Sequence, residues 1–395
     1  MSITIGVPRE TFPGERRVAM TPRAMETLAK SGAEFLVEPG AGEAAGFPDS
    51  EYRERGARLA ADRSEVFAAS DAIVQVRSLG ANPDTGRDDL PLFRREQIVI
   101  GMGEPLTAVR EAADLAGRGV TMLAMELMPR ITRAQAMDVL SSMATIAGYK
   151  AVLLAADTLP RMFPMLMTAA GTIAPARVFV LGAGVAGLQA IATARRLGAV
   201  VSGYDVRPAV REQVESLGAK FIVLDLETAG AEAGGGYAAQ MGEEFYRRQR
   251  LMMLEVLRQN EVVITTAAVP GKKAPVLVTA EMVRVMPPGS VLVDLAAERG
   301  GNCELTRPGE TVREGAVTIL GPLNLASTVP FHASQMYARN IAAYLKHLIR
   351  DGVLAIDPAD EITRDTLVTH GGEVVHPRIR EALGLAGEPA VPGKG

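Results

Sequence analysis

The sequence predicts an α/β protein of two domains, each built on a mainly parallel sheet, and three observations carry that prediction. The chain has 395 residues, room for two or three domains at roughly 100–200 residues each. Short β-rich apolar runs alternate with amphipathic helical stretches, the pattern of strand–helix–strand units around parallel sheets. One of these units opens its helix with a glycine turn, Gly182-Ala-Gly184-Val-Ala-Gly187. Apolar residues make up 48 % of the chain and charged residues 22 %. That balance fills globular cores and excludes a disordered chain, a coiled coil or a collagen-like repeat.

In the first third, strands are expected at Ile3–Val7, Glu34–Glu38, Ala72–Val76, Gln97–Gly101 and Thr121–Ala124. Helices at Thr21–Lys30 and Leu106–Arg118 fall between them. A long helix is expected from about Arg133 to Asp157, with Met137, Leu140, Ala144 and Ala147 forming one apolar stripe. A second set of strands follows at Val178–Leu181, Val200–Tyr204, Phe221–Leu224, Val262–Thr265, Val291–Asp294 and Val317–Leu320. Six strands with intervening helices make a complete dinucleotide-binding fold. Ser334–Arg350 then reads as a helix that packs back on the first domain. The expectation is two Rossmann-like domains with parallel sheets and a cleft between them. The first is discontinuous, residues 1–143 plus 327–384; the second, the nucleotide domain, is 144–326; a flexible tail covers 385–395.

Several classes are excluded early. A net charge of −4 argues against nucleic-acid binding, which favours a basic patch. Cys303 is the one cysteine, so no intrachain disulfide forms and a reducing, cytoplasmic setting is expected. The N-terminal Met1-Ser-Ile-Thr-Ile-Gly-Val-Pro lacks the basic and apolar regions of a signal peptide and reads as a strand. The longest uncharged stretch, about Val317 to Ala338, is broken by prolines and polar residues, so no membrane span is expected.

The glycine turn follows a strand and precedes a helix, Leu188–Leu197, which gives a common motif its required context. Gly182 permits the tight turn, Gly184 lets the backbone approach a pyrophosphate, and Gly187 lets helix and strand pack closely. Ala183, Val185 and Ala186 complete the loop, whose N–H groups and helix dipole suit phosphate. The next strand ends at Asp205, 18 residues beyond the last glycine, near the ~20 of the fingerprint. A carboxylate there accepts from both ribose hydroxyls and repels a 2′-phosphate, so NAD(H) is the expected cofactor in preference to NADP(H). Val206 adjoins it, and Arg207 is placed to soften the preference. By topology, Thr266, Ala267, Val269 and Pro270 after the fourth strand share the pocket, with the Asp294–Asn302 loop after the fifth. A Gly- and Ala-rich run near 225–240 holds Gly234-Gly-Gly-Tyr237 and reads as a lid.

Within the predicted long helix, Gln135, Asp138 and Ser141 are spaced i, i+3, i+6 and share a face, with Arg130 at the entrance. They suit an amide such as the carboxamide of nicotinamide; the same spacing also describes a solvated face with a capping arginine. All four histidines (332, 347, 370 and 376) lie beyond the nucleotide domain, and the chain before the glycine turn holds only Lys30 and Lys150. No metal-ligand spacing and no nucleophile elbow occurs, so no metal is expected. The result is a nicotinamide site without an evident acid–base pair.

Taken together, Gly6-Val-Pro-Arg-Glu…Arg17-Val-Ala-Met-Thr-Pro22, Arg130 through Tyr149, the fingerprint with Tyr204-Asp205, Gly-Gly-Tyr237, Pro270-Gly-Lys and Asp294-Leu-Ala-Ala…Gly300-Gly-Asn-Cys resemble a known family. It is the soluble NAD(H)-binding component, domain I, of proton-translocating nicotinamide nucleotide transhydrogenase, in the form of a separate α-subunit chain. The resemblance covers about residues 1–350. It implies direct hydride transfer from one nicotinamide to another, with no substrate proton to remove. It implies that Arg130, Asp138 and Ser141 hold the nicotinamide of NAD(H), that Gln135 reaches toward NADP(H) on a partner component, and that Tyr237 closes with the lid. It further implies a homodimer attached to the membrane through partner components. The N-terminal segment and fingerprint are also similar to alanine dehydrogenase, the alternative reading. That family's catalytic lysine and histidine are replaced in Ile73-Val-Gln-Val-Arg77 and Gln97-Ile-Val-Ile-Gly-Met-Gly.

Overall fold

The structure, a computed structural model, describes residues 2–223, 243–268 and 271–385. It comprises two compact units, residues 1–143 with 327–395 and residues 144–326. Tyr237, Val269, Pro270 and the tail from 386 lie outside the described residues.

The first unit is an eight-stranded sheet in the order Glu373–Val374, Leu367–His370, Thr121–Ala124, Ile98–Met102, Ala72–Arg77, Ile3–Val7, Ala33–Val37, Arg58–Leu59. Pairings from Thr121–Ala124 through Arg58–Leu59 are parallel. The two C-terminal strands add antiparallel at the edge. They form a hairpin across Gly371-Gly372, both at positive φ, which a two-residue turn of the right twist requires. Thr369 Oγ1 fixes the return, accepting from Met122 N–H at 2.9 Å and donating to Val120 O at 2.7 Å. The helix Pro330–Leu348 starts four residues earlier than Ser334, because proline fits the first helical turn, where no N–H is needed. Its Tyr337 hydroxyl donates to Gln75 O at 2.9 Å, and its Ser334 Oγ accepts from Val18 N–H at 3.0 Å. The C-terminal helix therefore packs on the first sheet, as expected.

One expectation fails. The residues from Arg133 do not begin the long helix; Thr132–Met137 is a 3₁₀ segment, and the α-helix is Val139–Thr158. Asp138 separates the two at ψ 92°, and its carboxylate satisfies first-turn donors instead of joining a helix face. The helix is long and apolar enough to cross a membrane by length and composition alone. Its Ala151, Val152 and Ala155 are fully buried in the core of the second unit.

The second unit has the strand order Lys220–Phe221, Val200–Tyr204, Arg177–Leu181, Val262–Thr265, Val291–Asp294, Val317–Leu320, with Thr311–Glu314 antiparallel at the edge. This is the doubly wound order 3-2-1-4-5-6, whose ligand crevice opens where the order reverses, beside Arg177–Leu181 and Val262–Thr265. Val178, Val180 and Ile264 face one core; Phe179, Leu181 and Val263 face the other. Both faces are covered, so these strands read as unbroken apolar runs. A hairpin, Leu166–Thr168 with Gly171–Ile173, was not expected; it leaves Met167 78 % exposed and Ile173 45 %.

Two carboxyls are buried at the carboxyl ends of the first sheet. Glu10 accepts from Val76 N–H at 2.6 Å and Arg77 N–H at 3.0 Å, yet burial and neighbouring Glu15 push it up to about 8. Glu126 accepts from Gly103 N–H at 2.7 Å, while its second oxygen is buried without a partner. Burial pushes Glu126 up to about 7. The folded state thus keeps protons that the unfolded chain releases above about 4.5. Their stabilisation is complete below that pH and is lost as pH rises through 7 and 8, at about 1.4 kcal/mol per pH unit per group. Urea midpoints should fall between pH 5 and 7, and Glu126→Gln should flatten that slope; an unchanged slope in the variant contradicts the assignment.

Candidate nucleotide-binding site

The fingerprint glycines differ in what surrounds them. Gly182 has φ +103°, a conformation other residues rarely adopt, and a Cβ there would stand 2.5 Å from Thr266 Oγ1. At Gly187 a Cβ would meet the Gly182 carbonyl oxygen at 1.8 Å, so the helix rests directly on the turn. Around Gly184 a Cβ would meet no protein atom within 4 Å. The turn is tight, the helix is close, and the middle glycine faces open space.

The helix spans Val185–Arg196 with Gly184 as its N-cap, three residues earlier than the sequence suggests. Its first helical bond runs from Leu188 N–H to Gly184 O at 2.8 Å. The N–H groups of Val185, Ala186 and Gly187 precede that bond and point out of the N-terminus, where the helix dipole favours an anion. Gly148 sets this helix against Val139–Thr158, since a Cβ at 148 would stand 2.1 Å from Ala186 O. Sequence reasoning passes over Gly148, although a glycine inside an apolar helix is a sign of close backbone approach.

Asp205 lies at the end of the second strand, as predicted, but its carboxylate is fully engaged. Oδ1 accepts from the Arg207 N–H at 2.9 Å and from Arg207 Nε at 2.8 Å. Oδ2 accepts from Arg207 Nη2 and Ala183 N–H, both at 2.8 Å. Both residues are buried, Asp205 9 % and Arg207 8 % exposed. Arg207 therefore balances Asp205 rather than reaching into solvent, and Ala183 N–H ties the acid to the glycine turn. Val206 packs against the core that holds Phe179 and Tyr204.

Thr266 and Ala267 follow the fourth strand. Thr266 Oγ1 donates to Gly182 O at 3.0 Å, which joins the two sides of the crevice. Thr265 donates to Asp294 at 2.9 Å one residue before. Burial pushes the Cys303 thiol up to about 11, so it is not a thiolate near neutrality. Among the described residues, no group of three or more His, Cys, Asp or Glu is arranged to hold a metal ion.

In the first unit, Arg130 and Gln135 are exposed, and Asp138 and Ser141 are half-buried. They do not share one helix face. Gln135 belongs to the 3₁₀ segment, and Asp138 caps the next helix, accepting from Ser141 N–H at 2.9 Å and Ser141 Oγ–H at 2.6 Å. Asn340 Nδ2 donates to Ala136 O at 2.8 Å, and Arg133 pairs with Asp360 at 2.7 Å, so the 3₁₀ segment is held at two points.

Family models match along the chain. The alanine dehydrogenase/PNT N-terminal domain matches residues 6–147 and its C-terminal domain residues 151–377. The chain belongs to the alanine dehydrogenase/PNT family. Within that family, it is 46 % identical over 378 residues to the first part of NAD(P) transhydrogenase subunit alpha from Rhodospirillum rubrum, covering 95 % of this chain and 98 % of that one. Similarity to the alanine dehydrogenase of Mycobacterium tuberculosis is lower, 30 % over 391 residues, covering 96 % and 97 %. Among solved structures, the transhydrogenase from Sinorhizobium meliloti superposes with a TM-score of 0.85 at 44 % identity, covering 94 % of this chain and all of that one.

These contacts separate two glycines of the family's fingerprint. Gly187→Ala drives a methyl into a backbone carbonyl and should cost about 1–3 kcal/mol in denaturant unfolding. Gly184→Ala, at φ −75° and in open space, should change stability by no more than ~0.5 kcal/mol. Equal losses in the two variants would contradict this division. Asp138→Ala should cost about 1 kcal/mol through loss of the helix cap, read by the same unfolding measurement.

Proposed function

We propose that this chain is the NAD(H)-binding component of a proton-translocating NAD(P) transhydrogenase. In this reading, hydride passes directly between the C4 atoms of NAD(H) here and NADP(H) on a separate component, while a membrane component moves protons. The observation that carries it is the 46 % identity to a transhydrogenase subunit over nearly the full length of both chains, against 30 % to an alanine dehydrogenase.

The residues of the second unit fit the ligand. The pyrophosphate lies over Gly184, where no side chain intrudes, and accepts from N–H groups of Val185, Ala186 and Gly187. Asp205 takes the adenosine ribose hydroxyls, exchanging the Arg207 guanidinium for them. Thr266 and Ala267 stand at the same crevice; for Val269, Pro270 and Tyr237, outside the described residues, the assignment to the pocket and its lid rests on the sequence alone. Arg130, Asp138 and Ser141 hold the nicotinamide, and Gln135 approaches the ring of the second nucleotide. NADH plus NADP⁺ gives NAD⁺ plus NADPH with no proton taken from a substrate, so alignment is the main requirement. This agrees with Gln75 and Arg77, where alanine dehydrogenase has catalytic chemistry. The Gln75 amide donates to Asp89 at 3.0 Å, and Arg77 stacks 4.3 Å from the Phe12 ring centre; neither shuttles protons near neutral pH.

The same reading makes the chain a homodimer, cytoplasmic and peripheral to the membrane through its partner components. The exposed apolar hairpin with Met167 and Ile173 supports a further protein contact.

Two assays test this. Gln135→Asn should leave the NADH dissociation constant within a few-fold and cut hydride transfer by the reconstituted complex roughly tenfold or more, about 1.4 kcal/mol of barrier. NADH oxidation with pyruvate and ammonia by this chain alone would instead establish the alanine dehydrogenase reading.

A further inference from the structure

A buried polar network lies beneath the crevice of the second unit. Asp294, the last residue of the strand Val291–Asp294, is fully buried. Its Oδ1 accepts from Thr265 Oγ1 at 2.9 Å and Ala296 N–H at 3.0 Å. Its Oδ2 accepts from Asn302 N–H at 2.7 Å, Cys303 N–H at 3.0 Å and Thr306 Oγ1 at 2.7 Å. All five donors are neutral, and a carboxylate, an acceptor on both oxygens, is the side chain that satisfies them. Gly301, at φ +82°, lets the loop fold back, since a Cβ there would stand 2.8 Å from Asp294 Oδ2.

Asn302, also fully buried, turns this anchor toward the crevice. Its Oδ1 accepts from Ala267 N–H at 2.9 Å; its Nδ2 donates to Ala267 O at 2.8 Å and Pro275 O at 2.9 Å. One amide thus holds both polar groups of a single peptide residue. Through Thr266, whose hydroxyl donates to Gly182 O, the connection reaches the fingerprint turn.

We infer that Asn302, fixed by Asp294, is a positioning residue for nucleotide binding: it sets Thr266 and Ala267 against Gly182 without touching the nucleotide. The inference rests on the second unit being the NAD(H) site. Unsatisfied buried amide partners are costly, so an error here shifts the loop rather than being tolerated.

Asn302→Asp preserves size while replacing the double donor. Ionised, the new carboxylate faces two carbonyl oxygens; protonated, it donates to one of them. NADH titration calorimetry on the full chain should give roughly tenfold or weaker affinity than wild type at pH 8, the effect of one or two buried hydrogen bonds. The deficit should shrink to a few-fold at pH 5.5, with wild type at each pH as reference because it carries the same Asp294 and Cys303. A deficit of equal size at both pH values would mean general damage and would overturn the inference, as would wild-type affinity at pH 8. Thr306→Val, which removes one donor from Asp294, gives a second test and should weaken NADH about threefold; unchanged affinity in it counts against the network. If wild type itself fails to bind NADH, the NAD(H) reading of the unit falls, and the inference with it.

Discussion

The second unit depends on one constraint: the helix Val185–Arg196 must begin in direct backbone contact with its surroundings. Its third residue, Gly187, rests on the carbonyl of Gly182, and its second, Ala186, meets Gly148 of the neighbouring helix. A methyl at 187 or 148 would fall within 1.8–2.1 Å of backbone oxygen, so neither contact survives a side chain. Because the helix is fixed at this end, its unbonded N–H groups occupy a defined place beside the crevice. The strand order brings Thr266 to the other side of that crevice, and its bond to Gly182 joins the two sides. Packing and binding geometry therefore come from the same few atoms.

Buried carboxyls recur in both units, and the protein accommodates them in three ways. Glu15 is paired with Arg17, and Asp205 with Arg207. Asp294 is met by neutral donors. Glu10 and Glu126 keep their protons, since burial raises them into the neutral range. These solutions differ in how readily they rearrange. An arginine on a long side chain can yield to ribose hydroxyls with its charge moving only a few ångströms. Five short bonds to backbone and hydroxyl groups cannot be exchanged one at a time without stranding the rest. Asp205 suits a changing partner, and Asp294 suits a fixed frame.

The strand plan was legible because apolar runs in a sheet covered on both faces stand out from their surroundings. Val200–Tyr204, Val262–Thr265, Val291–Asp294 and Val317–Leu320 have the bounds that the sequence suggests. The two-residue strand Arg58–Leu59 is too short to have a period, and the Leu367–Val374 hairpin carried a Gly-Gly signal that was there to be used. The fingerprint and Asp205 were legible for their spacing. Arg207's pairing was not, because spacing gives proximity without saying which way a long side chain folds. The Gln135–Asp138–Ser141 face was misread for a related reason. An aspartate before a serine-containing turn has the pattern of an N-cap as well as that of a polar stripe, and only backbone geometry separates the two.

That misreading bears on the proposed chemistry. A residue on a helix face would be held at one angle by the whole helix. Gln135 instead sits on a short 3₁₀ segment, held by Arg133 to Asp360 and by Asn340 to the Ala136 carbonyl. Asp138 and Ser141, bonded twice to each other, form a rigid pair at the start of the next helix. If two nicotinamides meet for hydride transfer, one of them needs a fixed seat and the other must arrive and leave. A doubly bonded pair is suited to the first task and an exposed amide on a supported turn to the second.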